Sequence, residues 1–584
     1  MDAAEKEKNV HVEDSSSRQG AAQHYAEDGN DRMTLTAFLA IVALATQFIS
    51  YINTLLMPST ILSYIIADLD ANPNYPWITI SWNVCASVLV TVGGRMSDIF
   101  GRRWFLIIAS VIALCGAVVG ATGKSVNQMI GSGVLFGLGG GIQEMCYAAL
   151  QEIVPIKHRV LAIGCFEFGA GCIALMSPLI AYSLLAKTAL GWRAVYWYIF
   201  SFEAFSLIMV VCFYHPPNFH TKHLRDGKTR WQLLRQMDFV GFGLFSLGCI
   251  LFLIGINWGG RSYDWNSAPV IATIVVGALL LVALGFYEAY APLKYPMLPA
   301  KFFRNVRGFT VLLVVCFVGG MLYYSMNVLW PRQSGLLFVP TGKPIIAGVY
   351  ANMVSFGTIT AGFIVLAFCS KVGHERWQQV GFMVVQTALI GSLASIGVND
   401  RVQAIATIVV LAATITPPQL LSFAMISMGI ENQVDIGLAN GLASTFRLMG
   451  GAVATAIYSA ILANTFAEKL PSKLDPVIAE YNVADSAIPL LIQAATVNTA
   501  DAYAAVPDIT DRLTAAAGQA VQYAYVDAFK LVYLVALAFG GLAIIAASFT
   551  KTIPKEQKTM QRAIHMENES GGARAAESGT KGTD

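Results

Sequence analysis

The sequence predicts an all-α, polytopic membrane protein with fourteen transmembrane helices, and three observations carry that expectation. Of 584 residues, 55% are apolar and 13% are charged, about half the charge of an ordinary soluble domain; a soluble chain of this length lacks the polar residues to cover its surface. Fourteen apolar runs stand along the chain, each near the roughly 20 residues that cross a bilayer core of about 30 Å. Lys and Arg divide unevenly between alternate loops, 26 on the side holding both termini and 10 on the other, which sets the termini in the cytoplasm.

The runs fall at 34–56, 76–93, 105–122, 127–149, 160–185, 195–214, 238–257, 267–289, 308–330, 345–369, 378–397, 402–428, 437–463 and 528–550. Residues 1–33 and 551–584 are rich in Glu, Lys, Ser and Gly and read as disordered cytoplasmic tails. The loop 464–527 has helix-like apolar spacing broken by Pro471, Pro476, Pro489 and Pro507, which suits short helices on the outer membrane surface. A net charge of +2 gives no basic field for a nucleic acid. The nine cysteines sit in or beside apolar runs and make no disulfide framework or CxxC metal pair, so no metal or other cofactor is expected. The polar N-terminal stretch does not read as a cleavable signal, and the first run is expected to stay in the membrane.

Between the second and third runs stands Gly94-Arg95-Met96-Ser97-Asp98-Ile99-Phe100-Gly101-Arg102-Arg103-Trp104. One acid, two glycines and several arginines in a short loop can lock the end of one helix to its neighbour. The spacing G-x3-D-x2-G-R-R resembles the signature loop of the major facilitator superfamily, and a weaker copy, Ser370 to Trp377, follows the tenth run. That resemblance implies two six-helix bundles, 34–214 and 308–550, the second including loop 464–527, with a linker 215–307 carrying two extra central helices. Gly191-Trp192-Arg193 through Trp197, and Phe446-Arg447-Leu448-Met449-Gly450-Gly451, are similar to segments of fourteen-span drug:proton antiporters. With Ile52 to Pro58 and Trp77 to Asn83, the span from about 34 to 550 resembles the fungal trichothecene efflux pump family within that branch. The resemblance implies a gate made by Gly94, Asp98, Gly101, Arg102 and Arg103 with Glu152 as the acid that partners the arginines.

The chain also departs from that pattern. Ile49 stands where drug antiporters carry an aspartate in the first span, Gly133 where an arginine is expected in the fourth, and Ser177-Pro178 is all that remains of a fifth-span glycine-proline motif. Other acids must then bind a coupling proton. Within the runs an ionisable group costs roughly 2.5 to 3.5 kcal/mol to insert, so each needs a partner or a task. Glu144 and Glu167 lie on small-residue faces at matching depth on adjacent antiparallel helices, and two nearby carboxylates are suited to proton exchange; the alternative is that each only hydrogen-bonds a neighbouring helix. Arg447, the lone cation deep in the second half, is the third coupling candidate: it either bonds helix carbonyls or a neighbouring acid, or alternates between partners during transport. Glu203, on a bulkier apolar face, reads as structural, and Lys530 can snorkel to the interface.

A bulky amphipathic substrate needs a midplane cavity with a few polar groups, and the candidates are Tyr51, Asn53, Asn83, Gln143, Tyr323, Tyr324, Asn327 and Asn352. Gly319-Gly320 below Tyr323 would ease bending of the ninth helix. No Walker loop, HExxH, GxSxG or His and Cys cluster accompanies the spans, which argues against an ATP-driven pump or an enzyme. The expected function is proton-driven efflux of an amphipathic toxin, secondary metabolite or drug by a monomer, in the plasma membrane or a vacuolar or vesicle membrane. Its expected partners are the small-molecule substrate, protons and the lipid bilayer. Proton-coupled uptake of a ferric siderophore and a non-transporting sensor are the alternatives.

Overall fold

The computed structural model describes residues 34–69, 74–217, 230–260, 262–291, 293, 295–339, 344–430, 435–507 and 509–554, with 557–558, 562–564 and 566 beyond. The N-terminal tail and residues 567–584 lie outside the described residues. Fourteen helical units follow the fourteen apolar runs: α1 Leu35–Thr60, α2 Trp77–Phe100, α3 Arg102–Ala121, α4 in two segments Val126–Gln143 and Cys146–Ile153, α5 Arg159–Lys187, α6 Arg193–Phe213, α7 Phe239–Trp258 and α8 Ala268–Tyr290. They continue with α9 Val311–Leu337, α10 in segments Pro344–Ala351 and Met353–Ile364 that run into a π-turn, α11 Glu375–Leu393, α12 Arg401–Gly429, α13 Ile436–Glu480 and α14 Asp511–Phe549. Among the described residues twelve helices are long and apolar enough to cross a membrane; α4 is broken, and α11 carries Gln378, Gln379 and Gln386 on its buried side.

Local chemistry starts these helices where the sequence provides a cap. Thr34 accepts the Ala37 N–H, Ser125 that of Gln128, Asp238 that of Gly241 and Thr510 that of Leu513. Between α2 and α3, Gly101 turns at φ +97°, a conformation costly for a residue with a Cβ.

Helices α1 to α6 pack among themselves, as do α9 to α14; α2 meets α13 and α5 meets α10 across the interface. The hairpin α7–α8 rests on α2 and α13 through α7, leaving most of α8 exposed for lipid. Small residues set the close approaches. A Cβ at Gly137 would stand 2.5 Å from the Trp82 carbonyl and one at Gly141 2.8 Å from that of Ala86, so α4 lies directly on α2. Gly319 and Gly320 serve the same purpose against Gln419 and the Arg447 backbone, and α9 runs as one continuous helix through them.

Three expectations are corrected. The run 127–149 is not one helix, because the backbone breaks at Glu144 and Met145 into i→i+3 turns, Met145 N to Ile142 O at 3.1 Å and Tyr147 N to Glu144 O at 3.3 Å. The preceding Gly139-Gly140-Gly141 makes regular helix cheap to leave here. Pro471 and Pro476 do not end α13, and α14 begins 17 residues before the expected 528. The two helices continue as an antiparallel pair in which Phe466 stacks on Tyr525 at 4.0 Å and Lys473 pairs with Asp527 at 2.8 Å. Leu470 and Leu474 are buried in this pair, which opposes the roughly 3 kcal/mol that each internal proline costs. Short helices Ile488–Val497 and Ala500–Ala504 do occur in that loop. Finally, part of the segment expected to be a free C-terminal tail is held: Ala563 and Ile564 donate backbone N–H groups to the Glu152 carbonyl at 3.1 and 3.2 Å, and Met566 is buried.

Candidate functional site

The charged residues converge at two levels. The first is the end of the bundle that holds the signature loop. Asp98 is buried and accepts from Arg102 Nη2 at 3.0 Å through Oδ1 and from the Leu438 amide at 2.8 Å through Oδ2. Leu438 lies in the first turn of α13, where backbone N–H groups lack helical partners and the helix dipole favours an anion. Arg102 Nη2 also reaches Glu152 Oε1 at 2.7 Å, joining α3 to α4. Gly94 lets α2 approach α13, since a Cβ there would be 2.6 Å from the Gly437 carbonyl.

Arg103, expected in this gate, turns away and donates to the Val211 carbonyl of α6 at 2.8 Å. Its place is taken by a residue that sequence reasoning missed. Asp435, just before α13, binds Arg95 at 3.1 Å and Lys301 at 2.6 Å, tying the signature loop to the chain segment that leads into α9.

The second level is inside the membrane. Glu144, at the break in α4, is almost fully buried and its Oε1 meets Arg447 Nη2 of α13 at 2.7 Å. Tyr51 donates to the other oxygen at 3.3 Å. Around this pair the rings of Tyr324 and Phe423 lie 5.9 and 5.7 Å from the Arg447 guanidinium, within cation–π reach. Tyr147 stacks on Phe423 at 5.6 Å and donates its hydroxyl to Glu167. Glu144 and Glu167 are therefore not joined to each other; each carboxylate has its own donor, and a cation stands at Glu144. Nothing in the sequence marks Tyr147 or Phe423, because an isolated aromatic in an apolar run has no distinguishing pattern.

The expected cavity residues separate into groups. Tyr51 and Tyr324 join the central pair, and Tyr323 packs edge-on to Tyr324 at 5.2 Å. Gln143 donates to Glu203 at 2.6 Å. Asn53 accepts from Ser177 at 2.7 Å and Asn352 donates to the Leu175 carbonyl at 3.1 Å, so both brace α5. Asn83 and Asn327 bond carbonyls of their own helices, Thr79 at 3.3 Å and Tyr323 at 2.8 Å. A cleft between α1, α2, α4 and α6 is lined by Thr54, Ile78, Trp82, Phe136 and Tyr196 among others, and none of the eight expected residues lines it.

Outside the membrane, Asp68 accepts from Trp192 Nε1 and Arg193 Nη1, both at 3.0 Å. The Trp192 bond and then that of Arg193 hold its carboxyl below the ordinary carboxylate range.

A sequence model of the family described as fungal trichothecene efflux pump matches residues 19–556. The trichothecene efflux pump of Fusarium sporotrichioides is 26% identical over 516 residues, covering 88% of this chain and 84% of that protein. The MFS-type transporter prx5 of Penicillium rubens is 28% identical over 476 residues, covering 81% and 84%. In fold, the chain is similar to the solved proton:xylose symporter XylE of the major facilitator superfamily, at a TM-score of 0.56 and 13% identity over 91% of this chain and 99% of that one. These relatives favour efflux and lend nothing to siderophore uptake or a sensor. The chain is a multi-pass membrane transporter of the major facilitator fold and belongs to the fungal trichothecene efflux pump family.

Proposed function

We propose that this protein exports small amphipathic fungal metabolites, trichothecenes first among them, by alternating access driven by proton influx across the plasma membrane. The observation that carries the reading is the buried Glu144–Arg447 pair, which joins the two helix groups at membrane depth. A carboxylate paired with a guanidinium loses that partner's attraction when it takes a proton. Protonation of Glu144 frees Arg447 and favours the arrangement in which α4 and α13 separate, and loss of the proton restores the pair; the gradient thereby biases one orientation over the other. The surrounding Tyr51, Tyr147, Tyr324 and Phe423 offer aromatic faces with a few polar groups to an amphipathic ligand. Asp98, Arg102 and Glu152, with Asp435 and Arg95, form the cytoplasmic gate, and the protein works as a monomer with both termini in the cytoplasm.

The test is substrate-linked proton movement in reconstituted vesicles, with accumulation of a labelled trichothecene in cells that have or lack the protein. Expected are lower accumulation with the protein and proton flux that disappears in Glu144→Gln while substrate binding persists. Native proton flux in that variant would remove Glu144 from the mechanism.

A further inference from the structure

Glu203 of α6 is a second fully buried carboxyl, and the exchange at Glu144 does not use it. Its partners come from three directions. Ser50 of α1 bonds Oε2, and Gln143, the last residue of the first α4 segment, donates Nε2–H to Oε1 at 2.6 Å. Ser110 of α3 faces the same carboxyl, and the buried thiol of Cys146 is the titratable group that faces it from the second α4 segment. Among the described residues no Lys, Arg or His stands within ion-pair distance of it. A buried carboxylate supported only by neutral donors is costly, and a proton relieves the cost.

The geometry on Gln143 is the second observation. Its Oε1 is buried and without a hydrogen-bond partner, an arrangement that costs free energy in a low-dielectric interior. An ionised Glu203 can only accept, so it holds the amide Nε2 and leaves Oε1 unmatched. A protonated Glu203 donates O–H, and the amide oxygen is the acceptor it lacks. The two protonation states thus select opposite orientations of the Gln143 amide. Gln143 is followed by Glu144 at the break in α4, so the first residue faces the Glu203 cluster while the second faces Arg447.

We propose that Glu203 is a proton-binding positioning residue whose protonation turns the Gln143 amide and thereby sets the α4 break that presents Glu144 to Arg447. The inference rests on the proton-coupled reading above and adds to it a second carboxyl, confined to the first helix group.

Purified full-length protein in lipid vesicles, wild type, Glu203→Gln and Ser50→Ala, would be compared by two measurements. The first is the infrared difference spectrum between acidic and alkaline pH. Expected is a protonated-carboxyl band that Glu203→Gln removes and Ser50→Ala shifts; its persistence unshifted in both overturns the inference. The second is the pH profile of substrate-linked proton movement. Glu203→Gln is expected to move its midpoint by about one unit or more, with retained substrate binding reporting an intact fold; an unchanged midpoint overturns the positioning role. Should wild type move no protons with substrate, the proton-coupled reading fails, and the infrared band still decides whether Glu203 holds a proton.

Discussion

Asp98 on α2 and the backbone amide of Leu438 on α13, 340 residues apart in sequence, are joined at 2.8 Å, so a carboxylate of the signature loop caps a helix of the other half. The contact exists only while the ends of α2 and α13 are together. Under the proposed alternating access it would belong to the orientation in which those ends are closed.

Asp98→Asn should leave expression and membrane insertion intact and weaken the closed state. A hydrogen bond to a charged group is worth about 1.5–3 kcal/mol, which is roughly a ten- to hundredfold change in the ratio of closed to open forms. Accessibility of a cysteine introduced near Gly437 to a membrane-impermeant thiol reagent, measured from the signature-loop side, should rise accordingly. Asp435→Asn should act in the same direction, since it releases Arg95 and Lys301 together.

The Glu144–Arg447 pair predicts a non-additive cycle. Removing one partner of a buried pair costs about 3–5 kcal/mol because the other charge is left uncompensated. Glu144→Gln and Arg447→Gln should each lower thermal stability in detergent, whereas the double variant should recover part of the loss. Simple additivity would mean the two side chains do not depend on one another.

Two glycines of α4 offer a paired packing test. Gly141→Ala places a methyl 2.8 Å from the Ala86 carbonyl of α2, while a Cβ at Gly131 meets nothing within 4 Å. The first should destabilise by about 1–3 kcal/mol; the second should be neutral or slightly stabilising through its better helix propensity. Unfolding midpoints of the two variants decide the matter.

Asp68 gives a pH prediction. Its carboxyl is held below the ordinary range by Trp192 and Arg193, so the contact contributes fully above the unfolded carboxylate value of about 3.9 and is lost as pH falls through the lower folded value. Asp68→Asn should lower the unfolding temperature slightly at pH 6, and the gap from wild type should close at acidic pH. The effect stays small because the contact is solvent-exposed.

Tyr323, Tyr324 and Asn327 should govern which compounds are carried. Truncating Tyr324, whose ring lies 5.9 Å from the Arg447 guanidinium, should alter the ranking of a panel of structurally different substrates. Equal losses across the panel would indicate packing alone.

How much was legible beforehand depended on whether the signal was contiguous. The spans follow from apolar runs, and the signature loop announces Asp98 and Arg102 because its spacing lies within a dozen residues. Asp435 carries no such local mark, and only the fold brings it to Arg95. The helix face of Glu203 is mostly apolar, with Ile199, Phe200 and Leu207 nearby, whereas its donors Ser50 and Gln143 arrive from other helices. The break at Glu144 was hidden for a different reason: a glycine triplet in an apolar run is equally compatible with tight helix packing and with loss of helix.

The held C-terminal segment joins the last membrane helix to the first bundle. After α14, Lys551 donates to the Arg307 carbonyl, and the chain then returns to Glu152, where Ala563 and Ile564 bond its carbonyl and Met566 is buried. The residue whose side chain grips Arg102 thus carries the tail on its backbone. A reporter protein or affinity handle fused beyond Met566 is consequently tied to the Glu152–Arg102 contact, and a chain cut at Pro554 leaves that contact without the tie. Tagged, cleaved and shortened forms therefore differ in what is attached to the Glu152 backbone, and comparing their transport rates measures what that attachment contributes.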